Sequence, residues 1–339
     1  MIHSALLRQV AWRLVQAVPT LVGVAVLVFI LVRVVPGDPI SMMVAPGSSA
    51  ADIAQLRSLY GLDKSIAGQF VVWAGDVLTG RFGTSISLRQ DVLGVVLPRL
   101  PATLELTGLA VVMAILLGTA GAVLAVRQQG RSSEAMIDAA TGVGLAVPDF
   151  VWALLAILVL GVLLPILPIS GRMDPTVALD LTTPFYLVEA IVRLDGGLTL
   201  DLLRHMLLPA TALALPLAAM IARVLKASLH EEMRQDYVVL ARAKGFSPWR
   251  IILGEALRNA AIPAVSLTGV QFTFLIGGAV LIEKIFAYPG IGNLAVDAVI
   301  NRDLPLIQGL ILVFAVLFIL VNIALDLLYV ALNPKLRHG

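Results

Sequence analysis

Val15 to Val32 reads VQAVPTLVGVAVLVFILV, a run that no charged side chain interrupts, with Arg8 and Arg13 before it and Arg33 after it. A bilayer hydrocarbon core about 30 Å thick is crossed by roughly 20 apolar helical residues, because each residue rises about 1.5 Å. The run meets that length. It is too long for the core of a signal peptide and no small-residue cleavage pattern follows it, so it reads as a retained first transmembrane span.

A window of about 19 residues moved along the rest of the chain finds further apolar runs near 102–126, 133–164, 207–229, 262–282 and 307–331. The sequence therefore predicts an all-α polytopic membrane protein with about six transmembrane helices. Composition agrees: 14% of residues are charged and 59% hydrophobic, whereas a soluble domain carries about 25% charged residues. Cysteine is absent, which excludes disulfides, thiolate metal sites and cysteine nucleophiles together. A formal charge of +2 gives no footprint for a nucleic-acid partner.

Charge sets the orientation. With the N-terminus inside, one side collects Arg8, Arg13, Arg127, Arg131, Arg223, Lys226, Arg234, Arg242, Lys244, Arg250, Arg258, Lys335 and Arg337, while the other takes Asp38, Asp52, Asp63, Asp76, Asp174, Asp180 and Asp195. The positive-inside bias places both termini in the cytoplasm. Two outside segments exceed ordinary connections, which run about 4–6 residues. Residues 36–100 read as a folded insertion between the first two spans, with a helical stretch from Ala51 to Leu59 that Ser49 or Asp52 can cap. Residues 165–205, rich in Pro, Asp and Gly, read as a second lobe.

The inside segment from His230 to Pro263 reads HEEMRQDYVVLARAKGFSPWRIILGEALRNAAIP. Ala241, Ala243 and Gly245 give a small-residue surface that another backbone can approach. Gly245 suits positive φ and a helix end. Ser247 then offers an N-cap and Pro248 a first helical position. The prediction is a helix, a sharp turn, and a second short helix lying across the membrane surface. Lys244, Phe246 and Trp249 combine charge with aromatic anchors that suit a protein groove; basic residues in such a place equally suit lipid headgroups.

This arrangement resembles the cytoplasmic EAA loop of permease subunits in bacterial ABC importers, in the dipeptide, oligopeptide and nickel branch. Val239, Leu240 and Ala241 occupy the family's Glu-Ala-Ala triplet, and Leu257-Arg258 stands where Leu-Pro is usual. Further pieces of the same branch occur in order: Val35-Pro36-Gly37-Asp38-Pro39, Gly80-Arg81-Phe82-Gly83-Thr84-Ser85, Leu208-Pro209-Ala210, Leu257-Arg258-Asn259-Ala260, EKIFAYPGIG from Glu283 to Gly292, Arg302-Asp303, and Asn333-Pro334-Lys335-Leu336-Arg337. The resemblance covers essentially the whole chain. It implies a type I ABC importer transmembrane domain spanning 1–339 in the bacterial inner membrane, with a periplasmic insertion at 36–100, a second periplasmic lobe at 165–205 and a cytoplasmic coupling loop at 230–263. In that family the loop docks into the ATP-hydrolysing subunit, so Ala241, Ala243, Lys244, Gly245, Phe246, Ser247, Pro248 and Trp249 are the expected coupling residues. The partners implied are a second homologous permease, two ATP-binding subunits that hold ATP and Mg, a periplasmic or lipid-anchored substrate-binding protein, and membrane lipid. Di- or oligopeptides are the expected substrates, with nickel, glutathione or opines as alternatives within the branch.

The chain's own chemistry is sparse. It has no GxxxxGK[ST] phosphate loop, no HExxH metal spacing and no GxSxG nucleophile elbow, so no cofactor and no enzymatic activity are expected of it. Two acids interrupt apolar runs, Asp149 after Pro148 and Asp326 in the sixth. A carboxylate at the bilayer centre costs about 2.5–3.5 kcal/mol on insertion scales, so each is expected to face protein, water or an interface. They suit a substrate path or proton relay on one hand, and helix packing on the other. Thr268 and Gln271 share a face of the fifth span at i, i+3 and suit either a translocation path or interhelical hydrogen bonding. The competing class is a secondary transporter driven by an ion gradient through Asp149 and Asp326; no inverted halves or paired broken helices are visible in its favour.

Overall fold

The computed structural model describes residues 2–34, 49, 64–177 and 180–332. In chain order these residues form α1 (Ile2–Val34), α2 (Ile66–Leu78), α3 (Val92–Val96), α4 (Leu100–Arg127), α5 (Ser132–Ala146) and α6 (Asp149–Ala156), the last continuing as a π-helix over Ile157–Leu163. There follow α7 (Tyr186–Val192), α8 (Gly196–Glu232), α9 (Asp236–Ala243), α10 (Pro248–Arg250) with a π-helical continuation over Ile251–Ala256, α11 (Leu257–Ile285), α12 (Ile291–Ile300) and α13 (Leu304–Leu332). The only β pairing among the described residues is an isolated bridge between Thr84 and Asp91. Among the described residues, four helices are long and apolar enough to cross a membrane, and up to six spans result when each of two bent pairs counts as one. The predicted helix from Ala51 to Leu59, the motifs Val35 to Pro39 and Asn333 to Arg337, and the side chain of Asp326 lie outside the described residues.

Two of the six runs depart from a straight rod. The stretch 133–164 breaks between α5 and α6, whose axes meet at 106°. Pro148 has no N–H to continue the α5 ladder, and it drives the residue before it out of the helical region; Val147 is extended, with φ −91 and ψ 123. The second bend, of 52°, separates Pro248–Phe272 from Phe274–Ile285.

The chain divides into two compact units, Leu100–Asn293 with Ala324–Gly339, and Met1–Arg99 with Leu294–Ile323. In the first, α8 is the central helix: 61% of its apolar window is buried within the chain, against 39% for α4. The reason is legible in spacing. Ala110, Ala114, Gly118 and Ala122 recur every fourth residue on α4, and Ala210, Ala214, Ala218 and Ala222 do so on α8. Small residues at that spacing form a stripe that lets two backbones approach closely. The approach is tightest at Gly118, where a Cβ would lie 2.7 Å from the Ala218 carbonyl oxygen, and Gly144 of α5 meets the Ala219 Cβ in the same way at 2.8 Å. Lys226 of α8 ties α5 down further through Glu134 and Asp138, both at 2.7 Å.

In the other unit, Phe29 of α1 packs edge-on against Phe70 of α2 with centroids 5.1 Å apart, and against Trp73 at 5.5 Å. Two of the sequence motifs meet here. Asp303, fully buried before α13, accepts hydrogen bonds from the Ser85 and Ser87 hydroxyls, from the Ser87 N–H at 2.9 Å and from the Leu306 N–H at 3.2 Å. Burial alone would push its carboxyl up, but these donors outweigh it and hold Asp303 below the usual carboxylate range.

Candidate functional site

The predicted turn between the fourth and fifth apolar runs is present. Helix α9 ends at Ala243, Gly245 takes φ +78, the Ser247 hydroxyl accepts from the Arg250 N–H at 3.4 Å, and Pro248 is the first residue of α10. A Cβ at Gly245 would meet nothing within 4 Å, so glycine is required there by conformation and not by space. The helix after the turn differs from expectation. It is not a separate short element: α10, its π-helical continuation and α11 run on together to Phe272 before the 52° bend. Pro263 lies inside this helix without ending it.

The eight residues expected on the coupling surface divide. Ala243, Lys244, Gly245, Ser247, Pro248 and Trp249 are exposed, and Phe246 is half-buried under the Arg250 guanidinium, which sits 4.0 Å from its ring centroid. Ala241 turns inward. It forms a small core with Val238 and Ile251, packed by Met233 and Tyr237, so its small size serves the chain's own helix packing and not an outside backbone. The exposed apolar surface is completed by Val239, Leu240 and Leu253, residues that a one-dimensional reading passes over because both flanks of α9 are apolar. A partly buried strut fixes the turn to the end of α8: the Tyr237 hydroxyl donates to Glu232, and the exposed Asn259 Nδ2 donates to the Tyr237 oxygen at 3.3 Å.

At the opposite end of α4, the 165–205 lobe is bolted to the helices by polar groups that the sequence reading did not single out. Glu105 and Arg172 form a buried ion pair at 2.6 Å. Arg172 also donates to the Pro184 carbonyl at 3.0 Å and covers the Tyr186 ring at 3.8 Å from its centroid, and the Val188 N–H donates to Glu105 at 3.0 Å. An acid within the second apolar run was the available signal. Within the lobe, Glu189 accepts from the N–H and hydroxyl groups of Thr182 and Thr183, which hold its carboxyl down at about 2. Beside the lobe, the EKIFAYPGIG motif closes on itself. Fully buried Glu283 accepts from the Thr103 hydroxyl at 2.6 Å and from the Asn293 N–H at 3.0 Å, and so caps the first turn of α12. A Cβ at Gly290 would lie 2.3 Å from that carboxylate and one at Gly292 would lie 2.6 Å from the Val280 Cα, so both glycines are there for close approach.

The three residues proposed for a path sit on helices that pack around α8. Asp149 is the first residue of α6, half-buried against α11 at Gly278. Thr268 is buried, and its hydroxyl is taken up by the Ala264 carbonyl at 2.8 Å. Gln271 directs its amide to the Met220 sulfur at 2.7 Å. None of the three lines the cavity of about 230 Å3 between α4, α5 and α8, whose walls include Gly121, Ala125, Asp138, Arg223 and Lys226. Among the described residues, no group of three or more His, Cys, Asp or Glu side chains is placed to hold a metal ion.

Comparison with known proteins agrees with this architecture. Residues 114–338 match the family described as binding-protein-dependent transport system inner membrane component, and residues 6–107 match the N-terminal part of such membrane components. The chain is 38% identical over 330 residues to the di/tripeptide transport system permease protein DppB of Pseudomonas aeruginosa, covering 97% of this chain and 98% of that one. It is 37% identical to the dipeptide transport system permease protein DppB of Escherichia coli K12, covering 96% and 97%. The glutathione transport system permease protein GsiC of Escherichia coli K12 is 35% identical over 333 residues, with 98% and 100% covered. Among solved structures, the inward-facing MetNI methionine ABC transporter matches with a TM-score of 0.53 at 17% identity, over 71% of this chain and 97% of that one; this is a likeness of fold.

Proposed function

Because the chain belongs to the family of binding-protein-dependent transport system inner membrane components, we propose that it is the permease subunit through which an ATP-driven importer passes di- and oligopeptides. It is a multi-pass subunit of an ABC importer in the inner membrane and not an enzyme. In the proposed assembly it pairs with a second, similar permease and with two subunits that bind ATP and Mg and hydrolyse the nucleotide, while a binding protein delivers substrate to the 165–205 side. Both termini and the Gly245 turn then lie in the cytoplasm, as the positive-inside bias requires. Family membership sets aside the ion-gradient alternative.

The observation that carries the substrate class is the match to peptide permeases along nearly the full chain. The coupling role rests on the exposed apolar side chains Val239, Leu240, Trp249 and Leu253 on either side of the Gly245 turn, with the exposed Lys244 beside them. Aromatic and aliphatic anchors of this kind suit insertion into a groove of a partner. ATP binding that closes the ATPase pair then moves α8 and α11 through the turn, provided the two states differ in the contacts they make there.

The similarity to a glutathione permease supports a second reading, in which the tripeptide glutathione is the cargo. Uptake in cells separates the two. A strain lacking this chain is expected to lose accumulation of radiolabelled alanyl-alanine and to regain it on complementation. Unchanged dipeptide uptake with loss of glutathione uptake would move the assignment to the second reading.

A further inference from the structure

Asp149 is a lone carboxylate in the apolar part of the molecule. Its Oδ1 accepts the Phe150 N–H at 2.7 Å, and none of the ion pairs among the described residues includes it. Its Oδ2 lies over a notch in α11: a Cβ at Gly278 would come within 2.9 Å of that oxygen and 3.9 Å of Leu213 Cδ2 on α8. Glycine at 278 thus leaves the room in which Oδ2 sits. The rest of α6, Phe150 to Ala156, is apolar, with Trp152 one turn along on the same face.

Depth follows from the neighbours. Leu213 is six residues into the run 207–229 and Gly278 is four from the end of 262–282, which places Asp149 about 6–9 Å below one membrane face. That face is the one carrying the 165–205 lobe, since the Gly171 N–H donates to the Phe286 carbonyl just beyond α11. The 106° break at Pro148 presents the start of α6 at this depth, and interrupted helices at membrane depth are where transporters place ligand groups. An ionisable residue within a spanning segment, with no ion-pair partner among the described residues, is a default site for contact with a charged solute.

We propose that Asp149 receives the N-terminal ammonium of the peptide as it leaves the binding protein and enters the permease. The inference rests on the peptide-importer reading above and adds to it the contact that meets the cargo. A half-buried carboxylate with one oxygen held by the Phe150 N–H and the other seated at the Gly278 notch keeps acceptor capacity for a charge-assisted hydrogen bond to an ammonium.

The test uses the complete transporter, with its partner subunits, in proteoliposomes, and reads both alanyl-alanine uptake and ATP hydrolysis with saturating peptide-loaded binding protein. Asn at 149 keeps the acceptor for the Phe150 N–H and removes only the charge. Asp149→Asn is expected to lower uptake about tenfold, the scale of one hydrogen bond to a charged group, with ATP hydrolysis within twofold of wild type. Asp149→Glu is expected to retain most uptake, and Gly278→Ala, which displaces Oδ2, to behave like the Asn variant. Uptake by Asp149→Asn at the wild-type rate overturns the proposal, as does a parallel fall of uptake and ATP hydrolysis, which marks a packing role. If the wild-type assembly hydrolyses ATP but accumulates no peptide, the peptide-importer reading itself fails, a result distinct from either.

Discussion

Gly245 carries the sharpest consequence of any one residue. Its φ of +78 costs an L-residue roughly 1–2 kcal/mol, and with nothing within 4 Å of a Cβ that strain is the whole local penalty. Gly245→Leu is expected to insert into the membrane at normal levels while peptide uptake falls about fivefold or more, the factor that such an energy corresponds to. Uptake and membrane abundance measured together check this, and normal transport would refute the role given to the turn. Glu189 makes a pH-dependent prediction. Its carboxyl lies near 2 against an ordinary value of 4.5, first through the Thr182 N–H and then the Thr183 hydroxyl. A depressed carboxylate contributes stability that is fully present above the unfolded value and is lost as pH falls through the folded one. Hydrogen exchange across residues 180–195 is therefore expected to be flat above about pH 4.5 and to rise toward about pH 2, and Glu189→Gln is expected to abolish that pH dependence. These local devices differ in how far the sequence discloses them. The glycine, serine cap and first-turn proline of the Gly245 turn act on their own backbone and can be read directly. Glu189 depends on Thr182 and Thr183 folding back across a loop, and Ala241 points inward only because Ile251 returns to meet it; neither fact has a signature along the chain.

Among the elements, the length of the apolar runs was legible because lipid imposes it, and α4 begins and ends within two residues of the run read from 102 to 126. Pro148 was visible too, but proline is ordinary in membrane helices, so only the structure shows that it turns the chain through 106°. Composition alone did not disclose that the stretch 165–205 takes in the start of a long helix: α8 begins at Gly196, capped by Asp195 through the Leu198 N–H, nearly three turns before residue 205. The small core of Ala190, Leu198 and Leu202 explains the extension, since a helix continues for as long as one face has something to bury against. The α4 and α8 seam gives a test at this scale. Gly118→Ala places its methyl 2.7 Å from a backbone oxygen, which cannot move without separating the helices, at a cost of about 1–3 kcal/mol. A lower thermal-unfolding midpoint and poorer detergent-purified yield are expected, whereas Gly142→Ala, with nothing within 4 Å, is expected to be neutral or slightly stabilising.

For the whole molecule, the ordered motifs find a physical reason in the fold. Gly80 to Ser85 and Arg302-Asp303 are joined by one buried carboxylate, and the EKIFAYPGIG turn closes around Glu283. The polar stripe of Thr268 and Gln271 could not be assigned from spacing, because a path and a packing contact put the same residue types on the same face; their partners are Ala264 and Met220. The account stands on one claim, that the exposed patch around Trp249 couples this permease to ATP-hydrolysing subunits. Charge introduced there is costly to bury without a partner, so Leu253→Asp with Trp249→Ala is expected to release those subunits. The direct measurement is purification of the C-terminally tagged chain from native membranes, followed by mass spectrometry and ATP hydrolysis with peptide-loaded binding protein. The account predicts a second permease and ATP-binding subunits with stimulated hydrolysis for the wild-type chain, and loss of the ATP-binding subunits alone for the double variant. ATP-binding subunits that stay bound and active in the double variant, or a wild-type chain that purifies alone, would contradict it.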